Sequence, residues 1–339
     1  MKDQFEREID YIRISVTDRC NLRCRYCMPS CGVPSCGHDA VLRFDEMVRL
    51  VRLFCSNGIR HVKITGGEPL VRKGLPSLIR ELKKLPGLET VSLTTNGLLL
   101  SAMLPELMDA GLDAVNISLD TLREDRYAEI TGQAALPQVL KALDDCCLQP
   151  GLRVKLNAVT LADYNMDEAE ELAALARDRQ MDVRFIEMMP VGLGRDFLGY
   201  SQDHILARLE AVYGPGSKST EKRGNGPAVY YDFRGFIGKV GFISALSHRF
   251  CESCNRVRLT SEGLLKPCLQ YAEGVDLRSL LRSGADDDTL TKSIRTGIFR
   301  KPRQHGFCGE TAECGDPGTG GETAEVRQKE EGLMSGIGG

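Results

Sequence analysis

The chain contains no tryptophan, and aromatic residues of every kind make up only 6% of its 339 positions. That scarcity argues against a stacking surface for nucleic-acid bases. Charge of one sign is also missing. The 44 Lys and Arg against 47 Asp and Glu leave a net charge of −3, so no global field draws nucleic acid or an anionic membrane. No run approaches the about 18 consecutive apolar residues of a membrane-crossing helix. The start, Met1-Lys2-Asp3-Gln4-Phe5-Glu6-Arg7-Glu8, is charged and lacks the apolar centre of a secretory signal. Together these absences predict a cytoplasmic protein with no membrane or nucleic-acid partner, in a compartment where thiols stay reduced.

What is abundant is cysteine, with 13 residues. In a reducing compartment disulfides explain this poorly, and metal or cluster ligation explains it better. The rest of the composition, 42% hydrophobic and 27% charged, is ordinary for a folded protein of one large domain or two.

Short β-rich runs alternate with helical patterns over the first two-thirds of the chain. The predicted strands are Ile9–Val16, His61–Thr65, Thr90–Thr95, Ala114–Leu119, Arg153–Thr160 and Asp182–Met188. Helices are predicted over Phe44–Asn57, Leu75–Leu85, Ser101–Ala110, Leu136–Cys147 and Asp167–Arg179. Such alternation implies an α/β fold with a parallel sheet, and six units suggest an incomplete (βα)6 barrel of the TIM type. Along the strands one parity is apolar (Ile12, Ile14, Val62, Ile64, Val91, Leu93) and the other polar (Arg13, Ser15, Lys63, Ser92, Thr94, Asn116, Lys155, Asn157, Arg184). Alternate side chains face opposite sides of a sheet. If the apolar set meets the helices, the polar set faces the lumen, which then holds four cations: Arg13, Lys63, Lys155 and Arg184. Buried cations need counter-charge, and a polyanionic substrate such as a triphosphate would supply it.

Past residue 212 the pattern changes to a Gly- and Ser-rich connector, Gly214–Pro227. Two predicted hairpins follow, Val229–Phe233 with Phe236–Ile243 and Val257–Thr260 with Leu264–Cys268, then helices near Asp276–Arg282 and Asp288–Ile298. The expected division is a barrel over 1–212, a mixed α/β extension over 213–302 that closes the barrel mouth, and a flexible tail over 303–339.

Two cysteine groups stand out. Cys20, Cys24 and Cys27 form C-x3-C-x2-C just after the first strand, where loops of α/β barrels carry chemistry. Three thiolates can hold three irons of a 4Fe–4S cluster and leave the fourth open. Zinc is the alternative, and it would want a fourth ligand, which Cys31 or Cys36 could supply. Cys251, Cys254 and Cys268 form a second three-thiolate group, compatible with a second cluster or, with His248, with zinc. Arg256 and Arg258 share a parity beside it, suited to phosphate or purine contacts.

The run Cys20-Asn21-Leu22-Arg23-Cys24-Arg25-Tyr26-Cys27 resembles the radical S-adenosylmethionine superfamily. So does Thr65-Gly66-Gly67-Glu68-Pro69 after the second strand. The resemblance narrows to the GTP 3′,8-cyclase family of molybdenum cofactor biosynthesis. It does so through Arg13-Ile14-Ser15-Val16-Thr17-Asp18-Arg19-Cys20, Cys27-Met28-Pro29, Cys251-Glu252-Ser253-Cys254-Asn255-Arg256-Val257-Arg258, Lys266-Pro267-Cys268 and the terminal Gly338-Gly339.

The resemblance implies S-adenosylmethionine and two 4Fe–4S clusters as cofactors. Reductive cleavage would give methionine and a 5′-deoxyadenosyl radical, hydrogen would leave the ribose 3′ position, and the resulting radical would add to C8 of guanine. The family pattern places Tyr26, Gly67, Glu68, Ser118 and Met189 at the S-adenosylmethionine. It places Arg13, Lys63, Thr94, Lys155, Arg184, Arg256, Val257 and Arg258 at the GTP, with Arg256 and Arg258 catalytic beside Cys20, Cys24 and Cys27. Implied partners are cyclic pyranopterin monophosphate synthase downstream and a reductant protein such as flavodoxin or ferredoxin. A homodimer is allowed. Cys31, Cys36, Cys308 and Cys314 have no family role, and the long stretch 307–331 puts the docking of Gly338-Gly339 in question. Another two-cluster enzyme, such as a peptide maturase, and a cluster-bearing binding module without turnover are the competing readings.

Overall fold

The computed structural model describes residues 1–33 and 37–307. Six strands and their crossover helices alternate first: β1 (Tyr11–Ser15), α1 (Phe44–Ser56), β2 (His61–Thr65), α2 (Leu75–Lys83), β3 (Thr90–Thr95), α3 (Leu100–Asp109) and β4 (Ala114–Ser118). After these come α4 (Glu124–Thr131), α5 (Leu136–Cys147), β5 (Arg153–Val159), α6 (Ala169–Asp178) and β6 (Met181–Ile186). The remainder runs α7 (Gln202–Tyr213), β7 (Ser217–Lys218), β8 (Val229–Asp232), β9 (Val240–Ile243), β10 (Arg256–Leu259), β11 (Leu264–Lys266), β12 (Val275–Asp276), α8 (Leu277–Arg282) and α9 (Asp287–Phe299).

Local chemistry starts and stops these elements. Glu46 closes a capping box on the Arg43 N–H at 2.7 Å. Asp276 and Asp286 cap α8 and α9 through the Ser279 and Thr289 N–H groups, each at 2.9 Å. Gly132, at φ 77°, ends α4 in the left-handed conformation that glycine favours. Two helices lack a strong apolar period and escape the sequence reading. In α4 the side chains that bury are Tyr127, Ile130 and Thr131; in α7 they are Gln202, Ile205 and Leu209.

The strands form one sheet in the order β12-β11-β10-β1-β2-β3-β4-β5-β6-β9-β8-β7. From β10 through β9 every neighbour is parallel. The two predicted hairpins exist, β8 with β9 and β10 with β11, both antiparallel. One strand of each joins an edge of the six-stranded core in parallel, so the extension widens the barrel on both sides as well as covering it. Among the described residues no pairing joins the outer strands to close the ring. The sheet still curls, because Lys63 on β2 lies within the fields of Arg184 on β6, Arg13 on β1, Lys155 on β5 and Arg256 on β10. A flat sheet would hold strands that far apart in the order well beyond each other's charge.

The expected parity holds. Ile12, Ile14, Val62, Ile64, Val91, Leu93, Val115, Ile117, Leu156 and Val183 are buried in one core against the helices. Cys146 on α5 belongs to that core, and Cys55 and Cys147 pack at its edge. All three thiols are pushed up by burial, to about 11 for Cys55 and Cys147 and about 12 for Cys146. They are packing residues rather than ligands.

Candidate active site

The loop after β1 is built around its cysteines. The N–H groups of Cys27 and Met28 both bond the Cys24 carbonyl at 2.9 Å, which turns the chain back on itself. The end of α4 clamps the loop from outside, with Arg23 N–H on the Thr131 carbonyl at 2.8 Å and Arg25 N–H on that of Ile130 at 3.0 Å. Leu22 N–H and the Asn96 amide reach the Cys20 sulfur at 3.4 and 3.9 Å. Beneath the loop lie Gly66 and Gly67. A Cβ on Gly66 would sit 2.5 Å from the Thr17 carbonyl oxygen, and one on Gly67 2.4 Å from that of Arg19. Only glycine permits this approach, so the pair cradles the cysteine loop.

Glu68 is 1% exposed, and its carboxylate accepts from Thr95 Oγ1 at 2.8 Å, Leu70 N–H at 3.0 Å and Asn96 N–H at 2.7 Å. Burial nevertheless pushes it up to about 7. Glu68 therefore orders the strand ends around the loop. Tyr26 donates to Asp120 at 2.7 Å, and burial pushes Asp120 up to about 6. Ser118, partly exposed, closes β4 just before it. An apolar group of Ile130, Leu161 and Met188, with Tyr26, Tyr164 and Phe197 against it, walls this side. Met188 belongs to that wall; its neighbour Met189 packs with Val191, Leu269 and Phe307.

The second group lies at the other end of the sheet. Cys20 follows the C-terminal end of β1, whereas Cys254 precedes β10, which runs parallel to β1 with Tyr11 opposite Arg256. Cys268 follows β11, antiparallel to β10, and so returns to the same end. Burial raises the Cys254 thiol, but the charges of Lys301 and Arg256 outweigh it and bring the group down to about 6. That thiol is poised to ligate as thiolate.

Both groups fit a polynuclear cluster. Neighbouring cysteines raise the Cys24 thiol, after burial, through Cys27 and Cys20. They raise Cys251, again after burial, through Cys254 and Cys268, so each trio shares a site. Zinc would want a fourth ligand at each trio. Cys31 is exposed, and His248 is exposed and pairs with Asp203 at 3.0 Å. Cys36, Cys308, Cys314 and Gly338-Gly339 lie outside the described residues.

Between the two groups runs the lumen. Arg13 faces Arg258 on one side and Lys63 on the other, and Lys155 and Arg184 rise from β5 and β6, both buried. Burial and repulsion by neighbouring cations depress Arg13, Lys63, Lys155 and Arg258. Arg13 falls to about 10 through burial and then Arg256 and Arg184, Lys155 to about 7 through burial and then Arg184, and Lys63 and Arg258 well below their ordinary values. Asn116 and Asn157 fix Arg184, the latter through Nε at 2.9 Å. The Asn116 amide also reaches Thr94 Oγ1 at 3.5 Å. Val257 points the other way, 1% exposed in the helix-side core, so its side chain does not enter the lumen with Arg256 and Arg258.

Sequence reasoning missed the floor. The connector after α7 folds back so that Arg223, paired with Asp182 at 2.8 Å, and Asn225, bonded to Thr90 at 3.2 Å, cover a cavity of about 310 Å³ lined also by Lys63, Lys155, Arg184 and Tyr230. Only the glycines of the connector hinted at a close approach.

Comparison with known proteins agrees with this layout. The Radical SAM superfamily description matches residues 14–176, and Molybdenum Cofactor Synthesis C matches 181–307. The chain is 46% identical over 307 residues to a GTP 3′,8-cyclase of Clostridium perfringens, covering 91% of this chain and 95% of that one. It is 44% identical over 310 residues to a GTP 3′,8-cyclase of Moorella thermoacetica, covering 90% and 95%. In fold it resembles Streptococcus suis SuiB bound to S-adenosylmethionine, with a TM-score of 0.60 at 16% identity over 85% of this chain and 68% of that one.

Proposed function

The chain belongs to the GTP 3′,8-cyclase family of radical S-adenosylmethionine enzymes, and we propose from that premise how its own residues divide the work on GTP. As a member it is a lyase that uses S-adenosylmethionine and two 4Fe–4S clusters. The first cluster with its bound S-adenosylmethionine supplies one-electron cleavage and a carbon radical able to take hydrogen from a ribose.

Cys20, Cys24 and Cys27 hold the first cluster, with Gly66 and Gly67 seating their loop and Glu68 ordering the strand ends. Tyr26, Gly67 and Ser118 are assigned to the S-adenosylmethionine side, where Asp120 orients Tyr26; Met189 is assigned there by the family pattern alone, since its side chain packs with Val191, Leu269 and Phe307. Cys251, Cys254 and Cys268 hold the second cluster. Arg13, Lys63, Thr94, Lys155 and Arg184 take the triphosphate and ribose, while Arg256, Arg258 and the backbone of Val257 take the base end.

The observation that carries this reading is the run of mutually repelling cations between two cysteine trios at opposite ends of one barrel. A triphosphate relieves that repulsion, and a peptide substrate would not. We assign residues 1–212 to the radical chemistry and 213–302 to the second cluster and substrate. The reading further includes a cytoplasmic site of action, in keeping with the lack among the described residues of any helix long and apolar enough to cross a membrane. It also includes an electron donor of the flavodoxin or ferredoxin kind and hand-over of product to cyclic pyranopterin monophosphate synthase.

The test is anaerobic. Protein reconstituted with iron and sulfide receives dithionite and S-adenosylmethionine, and 5′-deoxyadenosine is counted with GTP, with ATP and with no nucleotide. Release that depends on GTP supports the assignment. Equal release in all three would refute GTP as substrate.

A further inference from the structure

Lys301 has no part in the reading above, yet it is 3% exposed. Its ammonium donates to the carbonyl of Arg256 at 2.8 Å and to that of Pro267 at 2.6 Å. Arg256 lies two residues after Cys254, and Pro267 immediately before Cys268. One side chain thus ties together the two arms that carry two of the three second-group cysteines.

The chain around Lys301 is strapped to the third. Arg7, paired with buried Asp3 at 2.6 Å, donates to the carbonyls of Cys251 at 2.7 Å, Arg303 at 2.8 Å and Pro302 at 2.6 Å. Gln4 holds the Lys301 carbonyl at 3.0 Å, and the His305 backbone N–H bonds the Cys251 thiol.

Among the described residues the Lys301 ammonium bonds carbonyls and forms no ion pair with a carboxylate. A buried ammonium without counter-charge is costly. A 4Fe–4S core held by three thiolates is anionic, and more so after gaining an electron, so it is the missing counter-charge.

We propose that Lys301 is a positioning residue for the second cluster, fixing the two ligand-bearing arms and supplying the positive charge against which the cluster is bound and reduced. This rests on the family reading, which supplies the cluster.

The test uses the reconstituted full chain carrying Lys301→Met or Lys301→Arg. Each is also prepared with Cys24→Ala to silence the first site, and the second cluster is titrated by electron paramagnetic resonance. With the charge removed, the midpoint potential shifts to more negative values or second-site iron is lost, while Lys301→Arg keeps the iron and stays near the parent. First-site iron in the Lys301→Met protein with Cys24 intact shows that the chain has folded. If the two variants behave alike, at the parent potential or both without the cluster, the charge is not what matters and the proposal is overturned. A parent protein that takes up only one cluster would instead remove the family reading on which the proposal stands.

Discussion

Replacing Lys155 by Met should strengthen the empty protein and weaken its hold on GTP, and the opposite signs are the signature of a lumen built for a polyanion. Burial and Arg184 lower Lys155 from 10.5 to about 7, and at about 1.4 kcal/mol per unit that drop corresponds to about 4–5 kcal/mol of folding stability forgone at neutral pH. The offset is smaller. Methionine gives up the bonds from Nζ to the Arg223 carbonyl and to the Tyr230 hydroxyl, the latter at 3.0 Å. Leaving such a carbonyl unpaired costs about 1–3 kcal/mol. A net gain of about 1–4 kcal/mol in the GTP-free protein follows from these two magnitudes.

The pH dependence has a definite sign. The folded value lies below the unfolded one, so the unfolded chain binds more protons between about pH 7 and 10.5. Stability of the parent therefore rises with pH across that window. The Lys155→Met protein loses this share of the slope. GTP binding moves the other way, because a buried charged partner of a phosphate is worth about 2–5 kcal/mol, a rise in Kd of about 30-fold or more. Urea unfolding at pH 7 and pH 9 gives the first pair of numbers, and calorimetric GTP titration of the anaerobically reconstituted protein gives the second. A variant that is less stable than the parent and binds GTP equally well would refute the account of the lumen.

Three further outcomes follow from the geometry. Gly67→Ala should lose the iron of the first site and keep that of the second, halving the total, because its Cβ would lie 2.4 Å from the Arg19 carbonyl; full loading of both sites would show that the loop can move aside. Val257→Ala should cost about 2–3 kcal/mol in urea unfolding through the cavity it leaves, with GTP affinity unchanged, since the side chain faces the helices; a large loss of affinity would place it in the lumen after all. Asp3→Ala should destabilise the chain by about 3–5 kcal/mol by stranding the Arg7 charge, and denaturation that matches the parent would mean that water reaches Arg7.

The parts of this protein that were legible in the sequence are those written in local spacing. Period-two alternation on His61–Thr65 and Thr90–Thr95 set both their bounds and the face that Lys63 presents. Seven residues of chain suffice to bring Cys20 to Cys27, so that trio could be read without a fold. Weak periodicity hid α4, although its last turn holds the cysteine loop, because a helix that buries so few side chains leaves little pattern.

What the sequence could not decide depends on contacts between distant segments. Hairpin signals marked β8 with β9 and β10 with β11. Whether either hairpin joins the barrel depends on which unpaired edge it meets, and that is settled by backbone pairing between distant segments, Tyr11 with Arg256 and Val183 with Val240. That choice sends the two cysteine trios to opposite ends of the lumen. It also turns the Arg223 connector into a floor and buries Lys301 beside Cys254. The sequence by itself marked the two cysteine trios as candidate ligands and picked out the luminal cations, since residue type and short spacing carry that chemistry. Tertiary structure alone decided how far apart they stand and which charges face one another, because curl and edge pairing are properties of the assembled sheet.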